Sequence, residues 1–244
     1  MPHATGPAIE PSELALGVRN HAMPQEALRY DVTPAGLHYL LIHYDIPAVD
    51  PTAFRLSIGG HVARPLTLTM DDLRARPSVT ATVTLECAGN GRALLDPRPI
   101  SQPWLHGAVG NATWTGTPLA PLLAEADPLP GAVDVGFAGL DHGIEGDVEQ
   151  DYERGLSFAE ATRPEVFLAY EMNGRALFPQ HGFPLRLVVP GWYGMAHVKW
   201  LTRITVLDEP FAGYQNMVSY RRQRDEDDLP GEPVERIRVR SLLE

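Results

Sequence analysis

The chain has 244 residues, of which 44% are hydrophobic and 21% charged, enough apolar material for a substantial core without disulfide or metal staples. Its net charge of −11 argues against a nucleic-acid binder, because phosphate backbones are held by clustered Lys and Arg. No apolar run reaches the length of about eighteen residues that a bilayer requires, and the first six residues lack the basic-then-apolar order of a secretory leader. The expectation is a soluble, cytoplasmic protein with no membrane partner.

In chain order, residues 12–29 carry a weak helical pattern that breaks at Pro24 and enclose the polar triplet Arg19-Asn20-His21. Residues 37–44 and 54–58 read as strands. Thr69 is placed to cap a short helix running to Leu73. Residues 79–85 alternate valine and threonine, a strand signal, and lead into Glu86-Cys87-Ala-Gly-Asn90-Gly-Arg92, where glycines and asparagine predict a sharp turn. Residues 96–111 are irregular and contain Trp104 and His106; a loop of that length inside a domain is usually functional. Thr117 followed by Pro118 predicts a helix over 119–126 with Thr117 as its cap.

Residues 132–137 read as a strand that ends in the polar turn Gly139-Leu-Asp141-His-Gly143. Ser157 and Glu160 form a capping-box pattern, and 166–170 is a further strand. His181 precedes a strand over 185–189 in which Arg186 and Val188 alternate with Leu185, Leu187 and Val189. Residues 197–207 read as one long strand, whose period of two puts His197 and Lys199 on one face. Residues 211–222 read as loop, 225–233 as an acidic linker, and 234–240 as a strand that opens a second domain cut short by the chain's end. The resulting division is a domain over 1–224 and a linker with a first strand over 225–244.

Cys87 is the lone cysteine, so no internal disulfide exists. Three readings of it stand side by side: a small buried hydrophobe, a nucleophile activated by one of the nine histidines, or a thiolate ligand to a metal carried by an anionic cofactor. Cys-x-x-Cys and His-Glu-x-x-His are absent, as is a phosphate-binding Gly-x-x-x-x-Gly-Lys-Ser/Thr, which removes the usual zinc and nucleotide motifs. The basic residues gather in Gly/Pro-punctuated segments, a pattern that suits a small anion.

Eight stretches, in order, resemble the molybdenum-cofactor domain of sulfite oxidases. They are Arg19-Asn-His21, Glu86-Cys-Ala-Gly-Asn90 with Arg92, Trp104 with Trp114-Thr-Gly-Thr-Pro-Leu119, Gly139-Leu-Asp141, Leu168-Ala-Tyr-Glu-Met-Asn-Gly174, His181-Gly-Phe-Pro-Leu-Arg186, Leu187-Val-Val-Pro-Gly191 and His197-Val-Lys-Trp-Leu201. The resemblance implies a mixed, β-rich α+β domain followed by the start of a missing C-terminal β-sandwich dimerisation domain. It implies that Cys87 ligates molybdenum beside a molybdopterin, and that Arg19, Asn20, His21, Asp141, His181, Arg186, His197 and Lys199 hold that cofactor. Arg19, Arg92 and Trp104 then form a substrate-anion pocket, and Tyr220 is the active-site tyrosine.

The implied reaction is oxidation of sulfite to sulfate, with electrons leaving to oxygen or to an external carrier such as cytochrome c, and no haem in this chain. Guanidinium forks suit an oxyanion better than lysine does. The alternatives are a sulfoxide or other oxyanion reductase on the same cofactor, or a pterin-binding fragment without turnover. A homodimer is expected only with the C-terminal domain present.

Overall fold

A computed structural model describes residues 17, 19–223, 228 and 230–241. The helical pattern before residue 17 and most of the acidic run lie outside the described residues. The strands are β1 (Leu56–Gly60), β2 (Leu66–Leu68), β3 (Val79–Glu86), β4 (Val109–Pro118), β5 (Asp134–Glu145), β6 (Val148–Ser157), β7 (Phe167–Met172), β8 (Arg175–Ala176), β9 (Arg186–Val188), β10 (Arg203–Leu207), β11 (Arg221–Arg222) and β12 (Glu232–Pro233). The α-helices among the described residues are short: α1 (Met70–Arg74), α2 (Leu119–Ala126) and α3 (Phe158–Ala161).

One sheet has the order β2-β1-β10-β5-β6, with β1 and β10 parallel and the other neighbours antiparallel. The second is the antiparallel β3-β4-β7-β8, with β9 also paired to β7. This is the mixed, β-rich α+β fold expected.

The sequence explains the placement of the sheets. In β3, Val83 and Leu85 point inward, while the outward threonines Thr80 and Thr82 meet Thr115 and Thr113 of β4 at 2.9 and 3.1 Å. Strand β7 is apolar at nearly every position because both of its faces are covered. Phe167 and Ala169 share a cluster with Trp114 and Val188, whereas Leu168 and Tyr170 join the core formed with β1, β5, β10, α1 and α2. Thr69 and Asp72 make the reciprocal capping box of α1.

Several sequence expectations are corrected. Residues 37–44 form no regular strand; Leu40 makes only an isolated bridge to His21. Thr117 does not cap α2: it lies within β4, Pro118 stands at the cap position, and the Thr117 hydroxyl donates to the Leu73 carbonyl at 2.8 Å. The polar turn at 139–143 lies inside β5, which runs on to Glu145 and pairs with β6, a strand too polar to show in the sequence. The strand expected over 197–207 is confined to Arg203–Leu207, because Trp200 adopts φ 47° and breaks the extended path. Residues 211–222 contain a one-turn π-helix, Gln215–Ser219. Residues 234–240 are not a strand of a separate sheet; they lie on the main body through Val234 N–H to Tyr220 O, Tyr193 N–H to Glu235 O and Ile237 N–H to Gly191 O, at 2.9–3.0 Å.

Candidate active site

Cys87 closes β3 and is held from two sides. Its N–H donates to Ala108 O at 2.8 Å, and its carbonyl accepts from Asn90 N–H at 2.9 Å, closing the turn that the glycines predicted. Asn90 in turn donates to Glu86 Oε1 at 3.0 Å and accepts from Ala108 N–H at 3.1 Å. The thiol is buried, and burial pushes its pKa up; the Gly89 N–H, the Arg92 charge and the Trp104 indole act in the opposite direction.

The sulfur stands where two spaces meet. One is an open cleft of about 920 Å³ lined by Arg19, Cys87, Arg92, Trp104 and Tyr220 among others. The other is a narrow cavity beyond it, lined by Asp141, His181, Arg186, His197 and Lys199. Leu41, His43, Cys87, Ala88 and Tyr220 border both, so the two are continuous past the thiol.

The narrow cavity is unusually cationic for its depth. Arg186 is buried on β9, donates to the carbonyls of His181 and His197 at 3.0 and 3.2 Å, and lies 4.7 Å above the Trp114 ring. Burial lowers its pKa to about 10, so it stays charged at neutral pH. Lys199 donates to Leu41 O at 2.8 Å. Burial drives Lys199 down and Asp141 up, and each is drawn back by the other's charge. A register shift in β5 between Ala138 and His142 turns Asp141 inward. Gly139 permits this turn, since a Cβ there would stand 2.6 Å from both Asp141 Oδ1 and Lys199 O.

The histidines of the cavity are neutral. Burial lowers His197 and His181 to about 3, and His38 and His43 to about 4. His197 has both ring nitrogens engaged by the main chain, Nε2 at 3.1 Å from Trp192 O and Nδ1 accepting from Val189 N–H at 3.2 Å. It braces the wall and has no ring nitrogen left for a ligand. His43 Nε2 lies 2.7 Å from the Tyr220 hydroxyl, and its ring packs 4.6 Å from Tyr152. Burial also raises Tyr220 well above the ordinary tyrosine range, so this pair is uncharged.

Tyr220 follows the π-helix, a rare geometry often found at functional sites. Arg154 holds it there: buried, with Nη1 and Nη2 donating to Gln215 O and Val234 O at 2.5 and 3.0 Å, it lies 5.5 Å over the Tyr220 ring.

The Arg19-Asn20-His21 triplet is split. Arg19 lines the cleft and donates to the carbonyls of Tyr44 and His43 at 2.8 and 3.1 Å. Asn20 is buried behind the wall, its Oδ1 accepting from Ile42 N–H. His21 forms a two-way main-chain bridge with Leu40, which leaves its ring exposed and outside both spaces. In its place the wall carries His38, Tyr39, His43, Tyr152 and Gln180, none singled out from the sequence. The signal was present in two histidines five apart within 37–44, but that stretch was read as a plain strand.

Among the described residues no three His, Cys, Asp or Glu side chains converge as a metal site. Any metal at Cys87 therefore needs further ligands carried by a cofactor. The chemistry of the cavity's lining suits such a group: Asp141 Oδ1 and Arg186 Nε are buried without hydrogen-bond partners, supplying an acceptor and a donor beside the Lys199 amine. A polar heterocycle bearing a phosphate has matching chemistry.

Residues 43–215 match the family model of the oxidoreductase molybdopterin binding domain, and the chain belongs to that family. The chain's relatives within that family include sulfite oxidases and nitrate reductases. It is 40% identical over 183 residues to sulfite oxidase of Gallus gallus, covering 72% of this chain and 39% of that protein. To mitochondrial sulfite oxidase of Homo sapiens it is 37% identical over 218 residues, covering 85% and 39%. A nitrate reductase [NADH] of Ulva prolifera is 36% identical over 185 residues, covering 73% and 21%. The crystal structure of the sulfane dehydrogenase SoxCD from Paracoccus pantotrophus superposes with a TM-score of 0.69 at 27% identity, over 88% of this chain and 57% of that one. The chain thus spans only 39% of the length of these sulfite oxidases.

Proposed function

We propose that this chain is the catalytic domain of a molybdopterin-dependent oxidoreductase that oxidises sulfite to sulfate. The observation that carries the reading is the position of the Cys87 sulfur, between a deep cationic cavity and an open, arginine-lined cleft. Asp141, Arg186, Lys199, His181 and His38 hold the cofactor in the cavity, and Cys87 is the protein's ligand to its metal. Bound there, the molybdenum cofactor supplies the two-electron redox couple and the oxygen-atom transfer.

The chain's own residues perform the rest. Arg92 and Arg19 face the cleft with guanidinium groups whose hydrogen bonds go to uncharged oxygens, Arg92 to Ser101 Oγ at 2.6 Å and Arg19 to two carbonyls. Their charge remains for an incoming oxyanion, which a guanidinium fork holds in a fixed orientation. Trp104 walls this anion site and excludes water beside the thiol. Tyr220, kept protonated by burial and located by His43 and Arg154, offers a hydroxyl at the junction of cleft and cavity.

Sulfite and water become sulfate, two protons and two electrons, and the electrons pass to oxygen or to an external carrier such as a cytochrome c. Reduction of another oxyanion, or of a sulfoxide, on the same residues is the second reading, and the likeness to a nitrate reductase favours the oxyanion.

The test is metal analysis joined to steady-state assays. The wild-type chain is expected to carry about one molybdenum and to reduce cytochrome c with sulfite, while Cys87→Ser loses the sulfite-dependent reduction. Full sulfite oxidation in Cys87→Ser overturns the assignment, and turnover with a sulfoxide or nitrate but not sulfite selects the second reading.

A further inference from the structure

Glu86 is a carboxylate in an unexpected place. It is the last residue of β3, directly before Cys87 and the turn that shapes the anion side of the cleft, and its side chain is 7% exposed. Asn90 binds it at 3.0 Å but leaves its charge in place. A buried negative charge beside a site that takes an oxyanion works against binding.

The countercharge arrives from far along the chain. Arg240 Nη1 lies 3.2 Å from Glu86 Oε1, and Arg240 also lines the cleft. Its guanidinium lies against Gly91: a Cβ on that residue would stand 3.4 Å from Nη1 and 3.6 Å from Nη2, and Gly91 has φ 86°. Arg92 packs over the other glycine of the turn, with its guanidinium carbon 2.7 Å from where a Gly89 Cβ would be. The two guanidinium groups therefore flank the same turn. Arg240 is carried by the segment that Val234, Glu235 and Ile237 bind to the body through main-chain hydrogen bonds, and that Arg236 anchors on Glu160 at 2.6 Å.

We propose that Arg240 is a specificity-determining residue of the cleft: it neutralises Glu86 and, with Arg92 and Arg19, sets the affinity for an oxyanion substrate. The inference rests on the cleft being the anion site. It makes oxyanion affinity depend on the C-terminal segment, which lies beyond the residues matched by the family model. The pair is also a matched one, because removing both members leaves the local charge nearly as it was.

The experiment uses the full chain with its cofactor and sulfate as the binding probe, read by isothermal titration calorimetry at fixed pH and ionic strength, with sulfite kinetics alongside. Arg240→Gln is expected to raise the sulfate Kd at least about tenfold and to place its kinetic loss on the sulfite KM more than on kcat. The double variant Arg240→Gln with Glu86→Gln should return the Kd to within about threefold of wild type. If Arg240 merely held the segment in place, the double variant would bind as poorly as the single one, and the proposal fails. It also fails if Arg240→Gln stays within about twofold of wild type, or if the wild type binds no sulfate. The predicted pattern of sulfate affinities without sulfite turnover overturns the proposed reaction while leaving this inference standing.

Discussion

Lowering the pH from 7.5 to 5.5 should destabilise this protein far more than its surface charges suggest. His38, His43, His181 and His197 have pKa values depressed by burial to about 3 or 4, against an ordinary value of 6.5. The unfolded chain therefore takes up protons below pH 6.5 that the folded chain refuses. Stability is fully present above 6.5 and is lost as pH falls toward the folded pKa values. At pH 5.5 each histidine contributes a loss of about 1.4 kcal/mol. Asp141, raised by burial, acts in the opposite sense, while Lys199, lowered by burial, adds to the loss as it charges.

The net fall comes to about 4 kcal/mol, a large share of the 5–15 kcal/mol typical of a domain. Urea unfolding followed by tryptophan fluorescence at the two pH values measures it directly. A change below about 1 kcal/mol would refute the idea that these four histidines are held neutral. The same neutrality matters for the site, because it leaves Arg186 as the standing cation that meets a cofactor phosphate, joined by Lys199 as it takes up its proton.

Three further outcomes follow from particular contacts. Tyr220→Phe removes the hydroxyl 2.7 Å from His43 Nε2; it should cost about 1 kcal/mol of stability and lower sulfite kcat/KM, and an unchanged kcat/KM would place the hydroxyl outside the reaction. Gly89→Ala would put a Cβ 2.7 Å from the Arg92 guanidinium, which must move. Sulfate affinity should fall several-fold with little change in unfolding free energy, since the displaced group is the end of a flexible side chain. Arg154→Met leaves Val234 O unpaired and takes one of two donors from Gln215 O, which keeps the Tyr220 N–H; it should cost about 1–3 kcal/mol in urea unfolding and lower sulfite kcat/KM by loosening Tyr220.

Local chemistry determined a good part of this protein. The alternation in β3, the Thr69 and Ser157 caps of α1 and α3, and the glycine turn after Cys87 follow from residues within a few positions of one another, so they were readable in the sequence; the reciprocal half of the box expected at Ser157 is absent, because the Glu160 carboxylate is taken by Arg163, Trp192 and Arg236. Cys87, Asp141, His181, Arg186 and Lys199 were singled out by the resemblance of their segments, and all five line one cavity. Tertiary structure decided what those motifs could not. His38 and His43 became cavity walls because residues 37–44 are held by long-range bridges instead of a regular strand. His197 became a brace because its ring is taken up by the carbonyl of Trp192 and the amide of Val189. His21 turned to solvent for a main-chain reason that no side-chain pattern encodes. Arg240 met Glu86 across more than 150 positions, an electrostatic contact that only the folded path of the C-terminal segment creates.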